Sequence, residues 1–217
     1  MAFAMSSPAE LERVSTVDAL ANALRRRILD GDLRTGERLV ERELTERYGV
    51  ARHSLRAALR ALASEGLVEL EPNRGARVST LSREGLLELF ELRAALELEA
   101  AHLMLERNHD RVPPPVRAAV AHLRAVCEQP DPPWSDVVAA HDHVHRAIVD
   151  AAHSPRISRA YAALAGEMHL FVVQLKPSWT LSRMAEHHER LLDDLESEGP
   201  SALRRHLRDG AHSVLDS

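Results

Sequence analysis

The sequence predicts a mainly α-helical protein of two domains: a small head of three helices closed by a β-hairpin, then an all-α bundle of six helices. Three observations carry this. Composition is 45% hydrophobic but 3% aromatic, with nine Gly in 217 residues, so the cores are built mainly from Leu, Ala and Val and helix formers dominate. Apolar residues recur at steps of three and four over most of the chain. The prolines after residue 100 (113–115, 130, 132, 133, 155, 177 and 200) fall between or at the ends of the periodic stretches, where the ring and missing N–H are tolerated. The length suffices for two small cores.

In the head, residues 1–11 are expected to be a disordered tail. Ser15 or Thr16 caps a first helix running to Leu29, with Val17, Leu20, Leu24 and Ile28 as its stripe and Gly31 as its end. Residues 39–67, LVERELTERYGVARHSLRAALRALASEGL, read as two short helices about Gly49-Val50. Leu39, Leu44 and Tyr48 form one apolar edge; Leu55, Leu59 and Leu62 resume it. Arg52, His53, Ser54 and Arg56 turn away from that stripe near the start of the second helix. This is the layout of a helix-turn-helix, although an ordinary helical hairpin with a solvated basic face has the same pattern. Residues 66–70 and 76–79 alternate as strands around the turn EPNRG. The product is a wing that can lay Asn73, Arg74 and Gly75 against a phosphate or a minor groove.

From about residue 17 to 81 the chain resembles the winged helix-turn-helix of GntR-family transcription regulators. The segments ALRRRILDGDLRTGERLVE, ELTERYGVARHSLRAALRALASEGLVE and PNRGARV carry the likeness. The resemblance implies binding to double-stranded DNA, with Arg42, Arg52 and Arg56 at positions that contact it. Two departures bear on the operator sequence. Ala51 stands where Ser or Thr is common, and His53-Ser54 replaces a frequent Thr-Pro pair.

The second domain is expected over residues 82–217, after a head spanning 12–81. Ser82 caps a helix over 83–107 whose inner stripe is Leu86, Phe90, Arg93, Glu97, Ala100 and Met104. Arg93 and Glu97 thus lie on the apolar face. They form either an i, i+4 pair at a packing rim, or a site where Arg93 faces a cavity and meets an anionic ligand. Further helices follow over 116–127, 134–152, 155–175, 180–197 and 200–215. ELFELRAALELEAA resembles the opening helix of the FCD effector domain found in the FadR-type branch of the GntR family. A count of six helices favours the smaller, VanR-like form over the seven-helix form.

Twelve of the 13 His lie after residue 100. His141 and His145 project from one helix face at i, i+4, a spacing at which two imidazoles can share one ion. His102, His109, His122, His143 and His153 are read as surface residues. The FCD resemblance implies a divalent metal held by an Asp and a His at i, i+4, with single His residues from two later helices. HDHVHRAIVDAAHSPRI, EHHERLLDDL and SALRRHLRDGAHSVL then place His145, His188 and His206 as ligands, with His212 competing for the third place. His141 occupies the usual Asp position, unless Asp142 substitutes. A site without that carboxylate favours Zn²⁺, or Ni²⁺, over hard cations.

Net charge is −5, yet residues 1–80 hold 13 Arg against 12 Asp and Glu, and their arginines gather on the second helix and wing. No apolar run is long enough for a membrane span, and a lone Cys127 fits a reducing, cytoplasmic setting. A metal hydrolase fused to a DNA-binding head is the rival reading, but HExxH and a nucleophile elbow are both missing. The expectation is a homodimeric transcription regulator, a repressor, that reads a pseudo-palindromic operator and senses a small organic acid. A structural or absent metal is the other alternative.

Overall fold

The computed structural model describes residues 8–71, 75–176 and 178–215; ten helices and one three-stranded sheet lie among them. The chain divides into two compact units between Thr80 and Leu81.

The first unit runs α1 (Pro8–Asp30), β1 (Arg38–Leu39), α2 (Glu41–Tyr48), α3 (Arg52–Ser64), β2 (Val68–Glu71) and β3 (Gly75–Val78). α1 starts at Pro8, so residues 8–11, expected in the tail, are helical, and Ser15 and Thr16 lie within the helix rather than at its cap. Proline suits a first helical position, where the N–H has no intrahelical partner. α2 ends at Gly49, whose φ of 62° is left-handed and whose N–H donates to the Thr45 carbonyl. Ala51 supplies no side-chain cap to α3. Leu24, Leu55, Leu62 and Leu67 are fully buried, each contributing about 1.5–3 kcal/mol by leaving water. Arg25 ties α1 to the end of α3 with two bonds to Glu65, at 2.8 and 2.6 Å. The sheet has antiparallel order β1-β3-β2, with Arg38 opposite Arg77 and Val68 opposite Val78. The two-residue β1 was not expected; it is too short to show alternation.

The second unit contains α4 (Arg83–Arg107), α5 (Pro114–Cys127), α6 (Trp134–Ala151), α7 (Pro155–Ala162), α8 (Ala165–Leu175), α9 (Leu181–Glu198) and α10 (Ser201–Leu215). These are seven helices, not six, so the count that favoured the VanR-like form does not hold. The helix expected over 155–175 is broken at Ala163-Leu164. There Leu164 N–H reaches back three residues to Tyr161 O, and the four-residue ladder resumes with Met168 to Leu164. No proline or polar cap marks the break. Ser82 caps α4 by accepting from Gly85 N at 3.1 Å, and Thr180 caps α9 likewise. The stripe of α4 is buried along its length, Arg93 and Glu97 included. α4 packs against α6 and α10, and α9 against α5 and α10. α4, α6, α9 and α10 thereby enclose the centre of the bundle.

Candidate functional site

In the first unit, Arg38, Arg42, Arg52 and Arg56 line a concavity of about 670 Å³, together with Glu41, Glu71 and Gly75. Glu41 accepts from Arg52 Nε at 2.7 Å and from Arg56 Nε at 2.9 Å. The bond from Arg52 holds the Glu41 carboxyl below its usual range; slight burial opposes it, and Arg56 adds to it. Arg42, Arg52 and His53 are exposed, and the Arg56 side chain is half exposed. Ser54 departs from expectation. It is buried, because it lies one turn before Ala58 on the packed face of α3. Gly75 opens β3 at a φ of 95°. Asn73 and Arg74 lie outside the described residues.

In the second unit, His141 and His145 from α6, His188 from α9 and His206 from α10 are brought together in the core, all at least nine-tenths buried. Ring centroids stand 4.8 Å apart for His141 and His145, 4.8 Å for His141 and His188, and 4.7 Å for His188 and His206. A fifth ring joins them: His187 stacks on His206 at 4.0 Å and 23°. His187 was not among the expected ligands, because the FCD resemblance placed its neighbour His188 at the ligand position; adjacent helical residues do not face the same way. Here α9 turns His188 into the core and leaves His187 at its edge. Asp142 does not line the cavity; it accepts from Arg146 at 3.0 Å. His212 is exposed, and so are His102, His109, His122, His143 and His153.

Tautomers follow from the neighbours. Glu97 Oε2 accepts from His145 Nδ1 at 2.8 Å, and the Met184 carbonyl accepts from His188 Nδ1 at 2.8 Å. In each ring Nδ1 is thereby spent, and Nε2 is the nitrogen left for a ligand. Burial, and then neighbouring imidazoles, hold His141 and His206 well below the usual histidine range. Burial does the same for His188, and lowers His187 to about 4. Neutral imidazole is the form that binds a metal.

Arg93 and Glu97 are fully buried and bonded at 2.7 Å, Nε to Oε1, so the pair lies inside the fold and not at a rim. Burial alone raises the Glu97 carboxyl, but the charges of Arg93 and His145 and their hydrogen bonds bring it down to about 2. The Arg93 guanidinium lies 5.0 Å from the Phe90 ring centroid. Its Nη2 has no partner, nor have His141 Nδ1, His187 Nδ1, His188 Nε2 and Trp179 Nε1.

These orphaned atoms surround a cavity of about 10 Å³, room for one ion or one water but not for a metabolite. Ligand-capable atoms of His141, His145 and His188 lie within 4.8 Å of one another, as do those of His187, His188 and His206. Tetrahedral ligands about 2.0–2.1 Å from zinc stand about 3.4 Å apart, a gap that small ring rotations close. The donor set fits a borderline-soft divalent metal.

Comparison with known proteins agrees with both halves. Residues 16–78 match the family "Bacterial regulatory proteins, gntR family" and residues 88–210 match the FCD domain. A "Probable D-xylose utilization operon transcriptional repressor" of Paenarthrobacter nicotinovorans is 29% identical over 91% of this chain and 88% of its own. The gluconate operon transcriptional repressor of Bacillus licheniformis is 28% identical over 86% of this chain and 75% of its own. A solved GntR regulator from Rhodococcus sp. RHA1 superposes with a TM-score of 0.70 at 25% identity, covering 94% of this chain and 99% of that one. With an FCD match spanning more than half its length behind a matching DNA-binding head, the chain belongs to the gntR family of bacterial transcription regulators and is not an enzyme.

Proposed function

We propose that this DNA-binding regulator is a repressor whose operator affinity is set by a small carboxylate sensed in the histidine cavity. The observation that carries the reading is the set of buried imidazoles whose ligand-capable nitrogens lie together beside the unpartnered Nη2 of Arg93. His141, His145, His188 and His206 hold a divalent ion, zinc or nickel, which when bound supplies a Lewis-acid anchor for the acid. Glu97 fixes the His145 ring so that Nε2 faces inward, and the Met184 carbonyl does the same for His188. Arg93 offers a second contact to the anion. The gluconate operon regulated by one relative carries the name of such an acid, and both relatives above are named repressors.

In the first unit, Arg42, Arg52 and Arg56 take phosphates and base edges, with Gly75 lining the same concavity. Two copies place two heads on a pseudo-palindromic operator in the cytoplasm. Effector and operator are then linked by a coupling free energy of about 1–3 kcal/mol.

The test is fluorescence anisotropy with DNA from upstream of the protein's own coding sequence at low salt. Zinc-loaded protein and a panel of small hydroxy and keto acids are used, and light scattering counts the chains bound. Tight binding that one acid weakens about 5–150-fold supports the reading. No rise in anisotropy with any such DNA would defeat it. If operator binding and acid response survive chelation but the melting temperature falls, the metal is structural.

A further inference from the structure

We propose that the cavity offers two alternative seats for a single ion: an inner one on His141, His145 and His188, and an outer one on His187, His188 and His206. This rests on the metal reading above, but divides its four histidines between two seats and adds a ligand, His187, and a route to it.

Three observations carry it. First, both triads bring ligand atoms within 4.8 Å of one another, and His188 belongs to both. Second, His188 has one nitrogen to give. Its Nδ1 is spent on the Met184 carbonyl, so Nε2 serves one ion at a time and the seats exclude each other. Third, a buried nitrogen without a partner waits in each triad besides His188 itself: His141 Nδ1 inside and His187 Nδ1 outside. Leaving such groups unpaired in the core is costly, and a bound ion relieves it.

The seats differ in access. His141, His145 and His188 are sealed in the core. His187 and His206 also line a separate pocket of about 80 Å³ between α9 and α10, walled by Arg190, Asp194, Arg205 and Asp209. His187 is only partly buried and packs edge-on against Trp179 at 4.8 Å. The outer triad is therefore where an ion arrives and where an anion from solvent can share it. Passage inward needs the His188 ring to turn from one pair of partners to the other. Arg205 is already bonded to Asp194 and Glu198, whereas Arg190, the other arginine of that pocket, donates Nε to the Glu186 carbonyl and is the cation an incoming anion would meet.

Co²⁺ alone is the probe, added to chelated full-length protein and followed by visible absorption and by ion count per chain. His187→Phe keeps a ring in the stack and removes the ligand; His187→Gln is a second form in case packing fails. Circular dichroism confirms the fold of every variant. Wild type should take one Co²⁺ per chain. His141→Ala should keep Co²⁺ through the outer seat, with a changed spectrum and about 10–100-fold weaker binding. His187→Phe should keep the ion at the inner seat but take it up and release it to chelator at least about tenfold more slowly. The double variant should lose it. Two ions per chain, or a His187→Phe protein matching wild type in spectrum and exchange rate, overturns the two-seat proposal and leaves the four-histidine site standing. A wild type that takes no Co²⁺ removes the metal reading as a whole.

Discussion

Arg93→Met isolates the energetics of the buried charge pair. Arginine and glutamate are both fully buried, and the guanidinium gives one bond of 2.7 Å to Glu97. Removing it leaves the Glu97 carboxylate in the core with the His145 N–H and the nearby Tyr161 hydroxyl for support. Breaking a buried pair on one side costs about 3–5 kcal/mol. Loss of the cation against the Phe90 ring adds about 0.5–2 kcal/mol. At about 2–4 °C per kcal/mol for a chain of this size, the melting temperature should fall by about 7–28 °C. The measurement is calorimetry on chelated protein at pH 7, so that no metal contributes. Arg93→Met/Glu97→Gln should recover most of the loss, because the charge is gone and the amide oxygen still accepts from His145. A single variant that costs under about 1 kcal/mol, or a double variant no better than the single, would refute the reasoning. Either result means that water reaches Glu97 and that the pair is not desolvated.

Three further outcomes are expected. Glu41→Gln frees Arg52 and Arg56 from a shared carboxylate, so affinity for random-sequence DNA should rise and the slope of log K against log salt should steepen by up to about 1; an unchanged slope shows that Glu41 does not neutralise the groove. Burial, and then Glu128, push the Cys127 thiol up to about 11, leaving about one thiolate in a thousand at pH 8; maleimide labelling of the native protein should be at least about 100-fold slower than of unfolded chain, and labelling within minutes contradicts the packing of α5. His141→Asp brings a hard oxygen ligand into the inner set, so competition titrations should move toward Mn²⁺ relative to Zn²⁺; an unmoved ratio places residue 141 outside the coordination sphere.

Much of this architecture is legible in the residues because local physics and tertiary context agree there. The α4 stripe places Arg93 and Glu97 on the buried face by step counting alone, and the structure buries both. The left-handed Gly49 and the Ser82 cap follow from residue chemistry. What is not legible depends on contacts distant in sequence. The break at Ala163-Leu164 lies in a run of helix formers, and only packing interrupts it. Ser54 looks like a polar residue on a presented face, yet the core of the head claims that position. His187 is off-face on its own helix and joins the cluster only because α10 brings His206 against it. Glu97 as the partner that orients His145 needs α4 and α6 side by side, which spacing within one helix cannot reveal.

The charge carried by this cavity argues for an acid as its natural guest. Arg93 and Glu97 cancel, and the buried rings of His141, His188 and His206 are neutral at pH 7. A divalent ion held by imidazoles alone keeps both positive charges, in a region where low dielectric makes an unpaired charge costly. A carboxylate ligand in place of His141 would remove half of that excess; here it must come from outside. Yet the cavity of about 10 Å³ has no room for such an anion until its walls part. A ligand that fits two states equally shifts neither, whereas one admitted only when α9 and α10 yield binds the opened state alone. On the proposed reading, the seal that shuts out an acid is what would let it do work on the fold, and loosening that seal by mutation should raise affinity for the acid while weakening its effect on operator binding.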